Sequence, residues 1–288
     1  MELDTLLHET ADVAGPSAAA LANGRAAMDD AVVAGRRRVL AIGRGHSRRT
    51  RRLAVAVAAA AAAVLVVPTI DLGGGRPHAS ADAAQVLLRA GTAAGAQPGQ
   101  WQDAAYWHSV STYHQGASPT QRREIWIGHR AIGVLKDGGV GSGYIPLEVA
   151  SFSAGARGIS WDELYALPTE AGALERSLRD GIDGAGPDDD SELFVIVGDL
   201  LRESPAPPAL RKALWEVAAR VPGVKLVGVV ADSVGRAGVA VERHDSRYVL
   251  DPSNGRLLEE SSSDWTGTYL EQGPVDTAPA PTNAGAKG

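Results

Sequence analysis

Residues 53–70 read LAVAVAAAAAAVLVVPTI, 18 consecutive residues without a charge. Arg48, Arg49, Arg51 and Arg52 abut one end, and Asp71 and the glycine triplet 73–75 follow the other. No other feature restricts the chain so strongly, because such a run spans a membrane, precedes an export cleavage, or packs inside a soluble core. A hydrocarbon layer about 30 Å thick needs about 20 helical residues, with about 17 as a lower bound, so the length suffices. Eight of the 18 are alanine, which partitions near neutrally. Leu53, Val55, Val57, Val64, Leu65, Val66, Val67 and Ile70 supply the favourable transfer and form the expected anchor. The flank decides the case. A buried soluble helix carries a polar face, not a basic block at one end, and positive charge stays on the cytoplasmic side. Arg48, Arg49, Arg51 and Arg52 therefore set the topology: residues 1–52 cytoplasmic, one span, residues 71–288 extracytoplasmic.

A cleaved export signal is the competing reading. Ser47-Arg48-Arg49 loosely resembles a twin-arginine signal, and Ala79-Ser80-Ala81 has the small-x-small form of a cleavage site. A 52-residue stretch before the apolar run is long for a signal, however, and Ala81 lies 14 residues past Val67. The retained anchor is the expected state, with the cell membrane as the location.

The charge distribution follows the same division. The whole chain is at −6, but in residues 1–52 nine arginines face six acidic residues, so the remainder stands at −9. There is no cysteine, which removes disulfides, thiolate nucleophiles and thiolate metal sites. Residues 1–52 hold too little apolar mass for a core of their own, and are read as partly helical or disordered, ordering on a partner. Residues 71–81 form a Gly/Pro/Ser linker. Residues 82–271 form the folded domain, and residues 272–288, rich in Pro, Ala, Gly and Thr, a disordered tail.

Within the domain, Ala81 to Ala94 has a helical stripe, stopped by Gly95 and Pro98. Gln102 to His114 and Arg122 to Leu135 are strand-like, joined by a Gly-Ala-Ser-Pro loop. Residues 144–167 are less regular. Three helices follow: Glu170 to Arg179, Glu192 to Arg202, whose apolar residues repeat at three and four, and Ala209 to Arg220, opened by Pro208. A meander closes the domain, "VKLVGVVADS", "VAVERHDS" and "RYVLDPSNGRLLEES", with Asn254-Gly255 at a turn. Hairpin-length connections predict an α+β fold, an antiparallel sheet with helices packed on one face.

The chemistry-bearing residues give no catalytic pattern. His108, His114 and His129 sit on adjacent strands, but six strand residues separate the first two by about 20 Å, too far for one metal. Asp188-Asp189-Asp190 with Glu192 lacks the spacing and glycine of a calcium loop and reads as a helix N-terminus. Gly138, Gly139, Gly141 and Gly143 precede Tyr144-Ile145-Pro146 instead of a helix, so they form a loop, not a phosphate cradle. No Gly-x-Ser-x-Gly elbow or Ser/His/Asp arrangement is legible. The expectation is a non-enzyme without cofactor or metal. The basic block from Arg36 to Arg52, beside an apolar span, meets anionic lipid headgroups and not nucleic acid. Trp101, Trp107, Tyr113 and Trp126, with Tyr106, cluster in the early strands; they line a groove or fill a core.

"ADVAGPS", the Arg-rich anchor, "LPTEAGALERSL", "LFVIVGDLLRESPAPPALRKALWEVAARVPGVKLVG" and "YVLDPSNGRLLEE" together resemble an uncharacterised family of single-pass membrane proteins of GC-rich Gram-positive bacteria. The resemblance implies a short cytosolic segment, one span and an extracytoplasmic α+β domain, with no catalytic residue to transfer. The closing strands resemble, more distantly, the half-open β-barrel domains that bind lipoproteins or regulate envelope stress. The expected function is a single-pass sensor or binding protein. Its outer domain takes an extracytoplasmic ligand, and residues 1–35 hold a cytosolic partner such as a sigma factor. The segment lacks the His/Cys zinc motif of many anti-sigma proteins. A membrane-tethered or exported lipid or lipoprotein carrier is the alternative.

Overall fold

The computed structural model describes residues 79–99, 101–140, 143–147 and 151–282. The expected cytosolic segment and the anchor, including its flanking arginines, lie outside the described residues. Among the described residues no helix is long and apolar enough to cross a membrane.

The α+β architecture is as expected. Strands β1 (Tyr106–Gln115), β2 (Gln121–Gly128), β3 (Gly133–Asp137), β4 (Ile145–Leu147), β7 (Lys225–Ala231), β8 (Ala237–Arg243), β9 (Ser246–Asp251), β10 (Arg256–Ser261) and β11 (Trp265–Val275) form one antiparallel sheet. Its order is β4-β3-β2-β1-β11-β10-β9-β8-β7. The two chain-local meanders, β1 to β4 and β7 to β11, are joined by pairing β1 with β11 along its full length. A small hairpin, β5 (Phe152–Ala154) with β6 (Arg157–Ile159), stands apart from this sheet. Among the described residues the helices are α1 (Ala81–Gly95), α2 (Trp161–Tyr165), α3 (Ala171–Arg179), α4 (Asp189–Glu203) and α5 (Pro208–Ala218).

The main core lies between the helices and one face of the sheet. Trp107, Ile127, Val241, Tyr248, Leu250 and Tyr269 project from that inner face into a cluster with the apolar residues of all five helices. Alternation sends Ala240, Val249 and Leu258 to the opposite face, where they form a separate small cluster with Val230.

Small residues set how closely α1 can approach. Ser80 caps α1 by accepting from Ala83 N, and the buried stripe Ala83, Leu87, Ala90, Gly91, Ala94 follows helical spacing. A Cβ on Gly91 would lie 3.1 Å from Lys212 O and 3.3 Å from Trp215 Cβ. Gly255, at φ 71° in the turn between β9 and β10, has Ala90 O within 2.4 Å of where a Cβ would stand. The Trp215 indole N–H donates to Gly255 O at 2.9 Å. The Asn-Gly read from the sequence as a turn is thus also a packing site.

Arg211 fixes the turn from α4 to α5. It is buried, and among the described residues no carboxylate pairs with it. Its guanidinium donates to Ala206 O (3.0 Å), Leu201 O (3.3 Å) and Ser204 O (2.9 Å), the carbonyls left open where α4 ends and the prolines take over. Burial lowers its pKa to about 10.

Several sequence boundaries shift. The stretch Arg122 to Leu135 is two strands, because the chain turns at residues 129–132, where His129 N bonds back to Ala105 O. Residues 144–167 hold β4, β5, β6 and α2. A capping box escaped the periodicity: Ser160 Oγ accepts from Glu163 N while the Glu163 carboxylate accepts from Ser160 N. Glu170 caps α3 itself, accepting from Gly172 N and Ala173 N. Gln272, where the sequence reading begins the tail, is still strand. Gln272 to Val275 complete β11 against β1, and Thr282 N bonds Tyr144 O at 3.0 Å. Backbone pairing outweighs the composition of that segment.

Replacing Arg211 with methionine keeps the volume but leaves three buried carbonyls without a donor. The expected cost is about 3 kcal/mol or more, read as a lower midpoint in urea unfolding.

Candidate functional site

The sequence of α4 decides where the inner face stays open. Its N-terminus is the Asp188-Asp189-Asp190 run: Asp188 caps the helix by accepting from Ser191 N at 2.8 Å and pairs with Arg243 (2.9 Å) and His244 (3.2 Å). Among the described residues no group of three His, Asp or Glu is placed to hold a metal ion. The helix then descends onto the sheet. Phe194 and Tyr248 stack at 4.4 Å, and the Tyr248 hydroxyl donates to Phe194 O at 2.9 Å. Gly198 makes this approach possible, since a Cβ there would stand 2.2 Å from the Tyr248 hydroxyl.

One turn later α4 delivers an ion-pair node. Arg202 reaches Asp199 Oδ1 at 2.8 Å and Glu260 Oε2, on β10, at 2.7 Å. The Tyr269 hydroxyl donates to the same Glu260 oxygen at 3.1 Å, and the Gln272 side-chain amide donates to Arg202 O. Burial pushes the Asp199 carboxyl up to about 6, with Glu260 adding to the rise and Arg202 opposing it. Burial also raises the Tyr248 and Tyr269 phenols well above their usual range.

Arg202 and Glu203 stand between two clefts on the inner face. The first, about 160 Å³, is walled by Ile125, Ile127, Leu147 and Phe152, with Ser153 and Asp199 among its polar groups. The second, about 260 Å³, is polar, with Ser111, Tyr113, Gln115, Arg123 and Trp265 around it. A triad around the buried Asp137 stiffens its edge. Asp137 accepts from the Tyr113 hydroxyl (2.6 Å), from Arg123 (2.9 Å) and from Gly139 N (2.9 Å). These bonds hold the Asp137 carboxyl below its usual range despite burial. Glu203 makes no ion pair or hydrogen bond among the described residues, and its carboxylate borders both clefts. The arrangement offers an apolar wall, a polar floor and fixed charges, which suits holding a ligand of mixed polarity.

The aromatic set read from the sequence is not brought together. Trp107 is core, 5.1 Å from Trp101, and both rings face Arg211 at about 6 Å. Tyr113 alone reaches a cleft. Trp126 is on the outer face, stacked on His108 at 4.5 Å and edge-on to Tyr144 at 6.0 Å. An even spacing along one strand fixes a shared face, but Trp107 and Trp126 sit in cross-strand positions of opposite parity. His129 stacks on Trp161 and lies 3.1 Å from Asp162 Oδ1. The cleft residues Asp199, Arg202 and Glu203, and Glu260 that pairs with Arg202, left no sequence signal beyond ordinary helix and strand polarity.

No family model matches the sequence, and no curated protein matches it. Among solved structures the chain is similar to the Pseudomonas aeruginosa MucA/MucB complex, with 16% identity and a TM-score of 0.28, covering 69% of this chain and 59% of that one. It is similar also to MucB in complex with MucA(peri), with 14% identity and a TM-score of 0.28, covering 71% and 60%. The chain thus spans less than two thirds of the length of these two structures.

Asp199 gives a pH signature. Its folded pKa lies above the unfolded value, so the folded state binds the proton more tightly. Through this group, stability is greatest below about pH 4 and is lost as pH rises through about 6. Asp199→Asn removes the titration. Its melting temperature relative to the native chain should therefore be higher above pH 6 than at pH 4.5, with a stability difference on the order of 2 kcal/mol between the two. Parallel melting curves across that range test this; a constant offset would refute it.

Proposed function

We propose that this chain is a single-pass cell-membrane protein whose extracytoplasmic domain binds a ligand in the inner-face clefts and communicates with a cytosolic partner through residues 1–35. The supporting observation is the pair of clefts that meet at Arg202 and Glu203, the last turn of α4. A ligand there contacts the same residues that tie α4 to β10, so occupancy changes the environment of the Asp199–Arg202–Glu260 node. That is the minimum a sensor requires: a ligand with differential affinity for two arrangements of one element.

A binding role is favoured over a catalytic one. Ser191, Asp188 and His244 come together at the start of α4, but the hydroxyl of Ser191 is occupied by the Arg243 guanidinium and Asp188 is consumed by capping. Asp188 is held by Arg243 as well as by the helix cap, and among the described residues no histidine hydrogen-bonds the serine, the usual partner of an activated hydroxyl. The retained anchor also agrees with the fold's entry point. Ser80 caps α1 and its N–H donates to Val224 O at 2.9 Å, so cleavage after Ala81 would remove both bonds. A sigma factor is the specific cytosolic partner we propose, and a lipid or lipoprotein carrier remains the second reading, favoured by the apolar wall of the first cleft.

Three measurements test these readings. Protease treatment of intact cells, with a tag at each end, should remove the C-terminal tag and spare the N-terminal one in the membrane fraction; a released protein beginning near Asp82 would defeat the topology. Leu147→Trp fills the first cleft and should abolish the response to ligand while leaving the melting temperature within a few degrees. Deleting residues 1–35 should abolish regulation if the protein is a sensor and leave transfer intact if it is a carrier.

A further inference from the structure

The two ends of the nine-stranded sheet are finished differently. At one end β4 is three residues long and contains Pro146, which has no N–H. The preceding Tyr144 has its N–H on Thr282 Oγ1 (2.7 Å) and its carbonyl on Thr282 N (3.0 Å). Short strands, proline and covering segments are the devices by which sheets avoid edge-to-edge association. At the other end β7 runs for seven residues, and no strand among the described residues pairs with its outer side.

The chemistry of β7 is that of an interface. A bulge between Leu226 and Gly228, with Gly228 at φ 123°, and the charge of Lys225 blunt its first half. From Gly228 to Ala231 the ladder to β8 is regular, which leaves a straight free edge. Val229 is 79% exposed, and Leu226, Val227 and Val234 of the following turn are exposed as well. The helix that packs on β7, α1, exposes Leu88.

Insertion into lipid is a poor solution for such an edge. It would place unpaired backbone N–H and C=O groups in hydrocarbon at a cost of several kcal/mol each. A partner strand would pair these backbone groups and cover the exposed valines together. We propose that a second copy of this chain supplies it, β7 against β7, antiparallel about a two-fold axis at Val229. Centred there, Val229 meets its own copy, Gly228 meets Val230 of the second copy, and Val227 meets Ala231. Lys225 falls opposite Ser233, so no like charges meet. Such an isologous contact is closed and stops at a dimer.

A single strand pair buries far less than the roughly 800 Å² per partner of a stable soluble dimer. The point where the chain enters the domain addresses that shortfall. Ser80 is bonded to Val224, next to the start of β7, and only residues 71–78 separate Ala79 from the apolar run. Eight residues reach at most about 28 Å. If the anchor is retained as proposed above, Ala79 of every copy is tethered within that reach of the end of its span, and confinement to one membrane raises the effective concentration.

The test uses the full chain in its native membranes. The sequence has no cysteine, so Val229→Cys and, separately, Lys225→Cys each introduce one thiol on an exposed edge, away from the core. Under mild copper–phenanthroline oxidation V229C should give a disulfide-linked dimer and K225C none. Adding Val227→Lys to V229C should abolish the dimer band without lowering the melting temperature. Equal cross-linking at both positions, no cross-linking at Val229, or an adduct with a different protein would overturn the pairing. Fractionation of the same samples reads the anchor independently. A V229C dimer found in the soluble fraction keeps the pairing and discards the tether.

Discussion

The contact between α4 and the sheet governs the rest of the domain. A helix of 15 residues cannot cover nine strands, which at about 4.8 Å spacing form a surface far wider than one helix diameter. Its placement therefore divides the inner face into a covered part and an open part. Gly198 lets α4 settle onto Tyr248, and Arg202 then reaches Glu260 on β10. Where the helix stops, Arg211 takes its last carbonyls and turns the chain into α5. The clefts lie where that helix ends, beside its final two charged residues. The cleft lining and the structural support are in this way the same few side chains.

The node carries an energetic tension. Asp199 and Glu260 share a single half-buried guanidinium, and burial works against the charge of Asp199 while Arg202 favours it. Burial outweighs the pairing, and the carboxyl is pushed up to about 6. Asp137 shows the opposite outcome under comparable burial. It receives three donors, Tyr113, Arg123 and Gly139 N, and stays ionised. One carboxylate is a fixed strut of the polar cleft; the other is a group whose charge answers to its surroundings.

Much of the fold was legible in the sequence. Alternating strands, hairpin-length loops and the helical repeat of Leu193, Phe194, Val197, Leu200 and Leu201 imply an antiparallel α+β domain, because periodicities of 2 and 3.6 are local properties of the chain. The acidic run 188–190 reads as a helix start for the same reason. Less legible were features that depend on partners distant in sequence. The closing of the two meanders through β1 and β11, the ordering of residues 272–282, and the turn at 129–132 all rest on backbone bonds between segments that no local pattern links.

The sequence by itself determined the segment order, the faces of most strands and helices, and the absence of thiol chemistry, since each follows from residue type and spacing. Only the tertiary structure decided which aromatic residues meet and where the ligand-sized space lies. Trp107 and Trp126 look equivalent in a list of aromatic strand residues, yet strand register sends one into the core and the other to the outer face. Asp199, Arg202 and Glu203 look like ordinary polar positions of an amphipathic helix until β10 and β11 place Glu260 and Tyr269 beneath them. A charge acquires its role from the groups that bury it, and those are assembled only when the sheet and α4 come together.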